Sequence, residues 1–145
     1  MASKDIATHR AGVEIYHDAT FCKQKAQEFL DKFRLPKMFM PFNNLVEVGF
    51  NPTTGFIWLK QQKPAKYRVK EIGVSSYATE MMGFLEDCQM RKLTGIKSKE
   101  MMIWITLSDI SIDQTDSSKI IFTTSMKLLK SFPVTAFETE SEEIN

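Results

Sequence analysis

The sequence predicts a mainly β chain, a small antiparallel β-barrel or sandwich with an N-terminal α-helix. Three observations carry that prediction. Residues 45–61 spell a β-hairpin whose register can be read pair by pair, short alternating apolar segments follow it with turn residues between them, and only one stretch has helical spacing.

Residues 1–17 are polar and of mixed charge, which predicts a flexible arm. From Asp18 the apolar residues Cys22, Ala26, Phe29, Leu30 and Phe33 recur at three- and four-residue steps, with Lys23, Lys25, Gln27, Glu28 and Lys32 on the other side. Asp18 or Thr20 is placed to cap this helix and Pro36 to stop it. A rigid apolar connector containing Met38 and Met40 leads into the hairpin.

In the hairpin, Pro52 presets a helical φ and Gly55 is free to adopt the left-handed conformation that closes a four-residue loop. Asn51 then faces Phe56, Phe50 pairs with Ile57, and Val48 with Leu59. The opposite face sets Gly49 against Trp58 and Glu47 against Lys60, an indole over a strand glycine followed by an opposite-charge pair. Both tryptophans, Trp58 and Trp104, are expected to brace the fold.

Lys63-Pro64-Ala65-Lys66 reads as a turn, and Tyr67 and Val69 alternate with Arg68 and Lys70 in a half-buried strand. Gly73 breaks it. Residues 74–85 continue extended, with Gly83 marking a bulge or a close backbone approach. Leu93-Thr94-Gly95 is expected to turn. Met101, Ile103, Ile105 and Leu107 are then apolar at odd positions, but Ile110 and Ile112 at even ones. Period-two alternation changes parity only through a bulge, placed here at Ser108-Asp109. A polar loop at 113–118 and strands at 120–123 and 132–137 complete one domain, 18–137, followed by an acidic tail, 138–145.

Composition bounds the chemistry. With 145 residues, 43% of them hydrophobic, 26% charged and a net charge of +1, the chain has no global field for nucleic acid and is expected to be monomeric. Charge is nevertheless uneven. Lys60, Lys63, Lys66, Arg68 and Lys70 form an acid-free run, and Glu138, Glu140, Glu142 and Glu143 sit in the tail. No window nears the roughly 18 consecutive apolar residues of a membrane span, and the N-terminus has no run of signal-peptide length. A cytoplasmic protein with Cys22 and Cys88 as free thiols is the expectation.

Three separated blocks carry a family resemblance: VEVGFNPTTGFIWLKQ (46–61), KLTGIKSKEMMIWITLSDI (92–110) and FPVTAF (132–137). They resemble the plant family called domain of unknown function 538. FCKQKAQEFL (21–30) and LPK (35–37) are similar to its trichome-associated subgroup, "smaller trichomes with variable branches". The resemblance covers about residues 21–137. It implies a plant protein with a β-barrel-like fold, stress- or trichome-linked expression and a distant kinship to lipid-binding bactericidal/permeability-increasing domains. No catalytic residue comes with it. Met38-Phe39-Met40, Ser75-Ser76-Tyr77 and the stretch 125–128 depart from the family pattern, which touches the loops any ligand would meet.

Catalytic constellations are sparse. His9 and His17 are the two imidazoles, and neither forms a metal motif with Cys22 or Cys88, so no metal or cofactor is expected. Cys22 with His17 is the one thiol–imidazole pair close in sequence, but Cys22 lies on the apolar stripe of the helix. No Gly-x-Ser-x-Gly elbow occurs, and Gly95-Ile96-Lys97-Ser98 lacks the upstream glycine and following helix of a phosphate loop.

The leading expectation is a non-enzymatic binder of an apolar or lipid-like ligand, with Lys63, Lys66, Arg68 and Lys70 as ligand-binding residues or a weak contact with an anionic membrane surface. The basic run also fits a solvated strand face protected by lysines. Met38, Met40, Met81, Met82, Met101 and Met102 fill a core or line an adaptable pocket. An esterase acting on a lipid or pigment ester, and a protein-interaction module without a small ligand, are the alternatives.

Overall fold

Asp18 opens the only α-helix of the described residues: its carboxylate accepts the Phe21 N–H at 3.0 Å, and helix α1 runs Ala19–Lys32. These observations come from a computed structural model, which describes residues 14–36, 44–70, 72–138 and 142–144. The helix ends before Pro36. Leu35 N–H bonds to Leu30 O at 2.9 Å and Arg34 N–H to Asp31 O at 3.0 Å, with Arg34 left-handed at φ 62°. This Schellman closure satisfies the last carbonyls and turns the chain without the proline. The apolar stripe is buried as its spacing requires. Cys22, Ala26, Phe29 and Leu30 are covered, and the Phe29 ring meets that of Phe50 at 4.6 Å.

Ten strands follow or precede the helix: β1 (Glu14–Tyr16), β2 (Leu45–Phe50), β3 (Phe56–Gln61), β4 (Ala65–Val69), β5 (Gly73–Glu86), β6 (Gln89–Glu100), β7 (Ile103–Ile112), β8 (Lys119–Thr124), β9 (Leu129–Pro133) and β10 (Glu142–Ile144). They form one antiparallel sheet in the order β1-β2-β3-β5-β6-β7-β8-β9. β3 and β4 lie end to end along one edge of β5, and β10 lies outside β4. The hydrogen-bonded path does not close into the anticipated barrel. Among the described residues β1 and β9, its two ends, do not pair, and the sheet stays open.

The hairpin register holds at every position: Glu47↔Lys60, Val48↔Leu59, Gly49↔Trp58 and Phe50↔Ile57. Its loop closes through Asn51 N–H on Phe56 O at 2.8 Å and Gly55 at φ +80°. The bulge at Ser108 is present as well, since Leu107 pairs with Thr124 and Asp109 with Thr123. The slip lets Leu107 and Ile110 point the same way, and both are buried.

Three expectations need correction. Leu93-Thr94-Gly95 is not a turn between strands but a kink inside β6, where the β6–β7 register shifts between Met90 and Lys97. Gly95 has φ +88°, and a Cβ there would lie 2.3 Å from Glu80 O, so the backbones approach where only glycine fits. Residues 132–137 are not one strand: β9 ends at Pro133 and a 3-10 turn spans Val134–Glu138. Glu14–Tyr16, expected in the flexible arm, is a strand on β2, while residues 1–13 lie outside the described ones.

The sheet separates two packed faces. One gathers Val48, Phe50, Leu59, Tyr77, Ile96, Leu107, Ile110 and Phe122 with α1 into a single cluster. The other holds Phe56, Trp58 and Met82, flanked by Ile15 and Phe84. Methionines split by position. Met81, Met82 and Met90 are buried, whereas Met101 and Met102 are 94% and 84% exposed; Met38 and Met40 fall outside the described residues. Trp58 is fully buried. Trp104 is only half-buried, between the ammonium groups of Lys66 (5.8 Å) and Lys99 (5.7 Å), so it is not the core brace expected of it.

Trp58 lies so close on Gly49 that a Cβ there would stand 2.0 Å from the indole. Gly49→Ala should therefore cost about 1–3 kcal/mol by overpacking, and Trp58→Ala about 3–5 kcal/mol by the void left. Urea unfolding measures both. A Trp58→Ala protein that unfolds with the parent would show that the indole braces nothing.

Candidate functional site

The thiol–imidazole pair does not form. Cys22 is fully buried, its Sγ–H is directed at Tyr16 O (3.2 Å), and burial pushes the thiol's pKa up. His17 instead places Nδ1 3.5 Å from Glu47 Oε1. Glu47 is a buried carboxylate with three neighbours, since it also accepts Trp58 Nε1–H at 2.8 Å and lies 3.6 Å from Lys60 Nζ. The Glu47–Lys60 pair was legible from the register. The Trp58 N–H and His17 contacts were not, because they depend on which way an indole lies and where the arm returns.

Other polar groups are occupied locally. Asp113 accepts the Thr115 N–H (2.9 Å) and hydroxyl (2.8 Å), and Asp116 accepts the Ser118 N–H (3.0 Å) and hydroxyl (2.5 Å). Those hydrogen bonds hold both carboxyls below the ordinary aspartate range and lock the 113–118 loop. Cys88 borders an open surface cleft of about 410 Å³ with Asp87, Asp113 and Thr115, and no imidazole lines it. Among the described residues no three His, Cys, Asp or Glu side chains are grouped to hold a metal ion.

The basic run lands on β4 and its flanks. Lys63 is exposed at the bend after β3, Lys66 and Arg68 occupy the outward positions of β4, and Lys70 is exposed in the turn that follows. Ala65 and Tyr67 are buried between them, so strand alternation alone disperses the cations along the edge. Their neighbour is the chain's own tail. β10 pairs antiparallel with β4, setting Glu142 opposite Arg68, Glu143 opposite Tyr67 and Ile144 opposite Lys66. Tyr67 O–H also points to Glu143 Oε1 at 3.5 Å. Lys63 and Lys66 line a cleft of about 230 Å³ with Pro64, Ser76, Glu143 and Ile144. Arg68 and Lys70 do not join it.

Two apolar cavities lie inside. Met81, Met82, Met90 and Leu93 border one, and Ile72, Tyr77, Leu107 and Phe122 the other, each of about 10 Å³. That is room for about one water molecule, against roughly 300 Å³ or more in a preformed ligand pocket. Burial drives the Tyr77 phenol's pKa far upward, so it stays neutral in this wall. The second cavity shares Ile72, Ser75 and Phe122 with a neighbouring crevice, also of about 10 Å³, whose other walls include Lys99, Glu100, Lys130 and Phe132. The Lys130 ammonium is paired with Glu100. The crevice, missing from the candidate residues read in sequence, therefore has the Lys130 ammonium at its edge, whereas Lys99 carries its own over the Trp104 ring at 5.7 Å. The crevice's parts come from β5, β6, β8, β9 and the β4–β5 turn, which no local pattern joins.

Both cysteines are free. Native alkylation should label Cys88, which is half-buried beside an open cleft, while Cys22 resists until the protein unfolds. Because the folded Cys22 thiol ionises at higher pH than the unfolded one, its contribution to stability is complete below the ordinary thiol range. It is lost as pH rises through the raised value. Peptide mapping after labelling checks the order, and labelling of Cys22 first would contradict it.

The hairpin, the β6–β7 segment and the Phe-Pro ending all fall inside a stretch that matches a known family. The family described as "Protein of unknown function, DUF538" matches residues 26–138. A relative from Arabidopsis thaliana, "Uncharacterized protein At5g01610", is 30% identical over 104 residues, covering 72% of this chain and 58% of the relative. The chain thus spans little more than half the length of that relative. Among the described residues no helix is long and apolar enough to cross a membrane. On that match, which spans most of its length, this chain belongs to the family of unknown function 538.

Proposed function

We propose that the protein is a non-enzymatic binder of an amphipathic, lipid-like molecule with an anionic head. The observation that supports this reading is the apolar cavity behind Ile72 and Phe122, whose neighbouring crevice has the Lys130 ammonium at its edge. An alkyl chain entering there meets Tyr77, Ile96, Leu107 and Ile110, and its carboxylate or phosphate competes with Glu100 for Lys130. The interior space is small, so entry requires Ile72 and Phe122 to move apart. Such binding is slower and weaker than insertion into a preformed pocket.

Lys63, Lys66, Arg68 and Lys70 remain a second anionic contact in this reading. Glu142 and Glu143 on β10 already lie beside them, which weakens any such contact at rest. A protein-interaction reading draws on the same place. The β4 edge takes an acidic extended strand, its own, in the manner of strand addition. An esterase reading finds no support in the thiol–imidazole pair close in sequence, since the Cys22 Sγ–H points at the Tyr16 carbonyl and His17 lies at Glu47.

Thermal shift and native mass spectrometry against fatty acids, lysophosphatidic acid and the alcohols of matching chain length test the proposal. The acids should stabilise the protein and the alcohols should not. Lys130→Glu should weaken the shift at least about tenfold in apparent affinity, the loss of a favourable charge-assisted contact. Lys66→Glu with Lys70→Glu should change it little while weakening salt-sensitive association with anionic surfaces. No shift with any amphipath, or equal shifts with acids and alcohols, would remove the reading.

A further inference from the structure

The β6–β7 hairpin closes with Met101 and Met102, between the paired residues Glu100 and Ile103. Both methionines have positive φ, 48° and 73°, the pattern of a type I′ turn. Asn-Gly is the least strained choice in such a turn, and a long apolar side chain at either position is disfavoured by the backbone. These side chains are also 94% and 84% exposed, and Ile103 beside them is 62% exposed. Two costs, conformational and hydrophobic, thus fall on the same residues.

A second apolar tip stands at the same end of the sheet. Met126, Leu128 and Leu129, in and after the β8–β9 turn, are 67%, 48% and 68% exposed. Ser125 N–H bonds to Thr106 O at 2.8 Å, and Lys130 of β9 pairs with Glu100 of β6, which ties this turn to the first tip. Behind the methionines the chemistry turns amphipathic. Trp104 is half-buried with Lys66 and Lys99 over its ring, and Lys97 and Lys127 are exposed nearby in sequence. An apolar tip, then an indole, then ammonium groups is the order in which a bilayer presents acyl chains, interface and anionic headgroups.

We propose that these two tips are a docking surface for an anionic lipid bilayer: Met101, Met102, Ile103, Met126, Leu128 and Leu129 enter the acyl boundary while Lys66, Lys99 and Lys127 meet the headgroups. A narrow convex tip suits penetration of a soft interface better than a flat protein partner, and the flanking lysines favour anionic lipid over neutral lipid. The proposal stands on the tips themselves and does not require the crevice to take a ligand, although Lys99, Glu100 and Lys130 place the crevice mouth at this same end.

The test is vesicle flotation with phosphatidylcholine alone and with phosphatidylserine added. The parent should float with the anionic vesicles, and Trp104 emission should shift to the blue while buried Trp58 contributes no change, so Trp104→Phe abolishes the shift. Met101→Asn with Met102→Gly installs the favoured turn residues, so it should fold at least as well as the parent yet bind vesicles about tenfold or more weakly. Thermal shift with a short-chain, water-soluble acid should be unchanged in that variant. This separates loss of docking from loss of the crevice reading. Vesicle binding unaltered by the double substitution, no flotation of the parent, or lipid-independent self-association abolished by it would each overturn the proposal, the last in favour of a second copy of the chain.

Discussion

The contact on which the rest of the structure depends is the indole of Trp58 lying against Gly49. With a Cβ at position 49 the two would overlap at 2.0 Å, so the ring occupies space that exists only because that strand residue has no side chain. The buried Trp58 N–H finds its acceptor two residues from Gly49, at Glu47. Shifting β2 by one residue would remove the glycine and the carboxylate together and turn Val48 and Phe50 away from α1. The pairing that seats the indole therefore also decides which face of the sheet the helix covers. From that face the register passes to β5, where Trp58 pairs with Met82 and Leu59 with Met81.

What could be read in the sequence is what depends on near neighbours. The hairpin register follows from one loop, the Ser108 bulge from a change of parity within a few residues, and the helix stripe from its own spacing. Expectations failed where a distant backbone intervened. Gly95 looked like a turn residue because it needs a positive φ, and it has one. The reason is Glu80 O on the neighbouring strand, 2.3 Å from where a Cβ would stand, and not a chain reversal. Pro36 looked like the helix stop, yet Arg34 had already taken the left-handed cap. Barrel closure was inferred from curvature, but curvature from bulges bends a sheet without bringing its first and last strands together.

The charge pattern shows the same division between local and distant information. A basic run and an acidic tail were each evident from composition, and a cluster of cations invites an external anion. More than seventy residues separate Arg68 from Glu142, so their cross-strand pairing is a property of the fold. Lys66 reaches two ways: Ile144 stands opposite it in register with Glu143 in the same cleft, and its ammonium lies 5.8 Å from the Trp104 ring. The run thereby divides into a part facing its own tail and a part facing the β6–β7 tip.

That division gives the molecule two unlike ends. Around Gly49 and Glu47 the apolar residues Val48, Phe50, Trp58 and Leu59 are buried, and the buried Glu47 carboxylate has a tryptophan N–H and a lysine beside it. At the other end methionines stand at left-handed turn positions in solvent, although the strands behind them are as well packed, through Ile105 and Leu107, as those elsewhere. Packing cannot be the reason for Met101 and Met102, because they touch no core, and turn geometry cannot be the reason, because it disfavours them. A residue pair that neither the fold nor the turn requires is best accounted for by something the chain meets at that end. On the docking proposal that something is a surface oily within and anionic at its boundary, which the exposed methionines and the ammonium groups over Trp104 would complement.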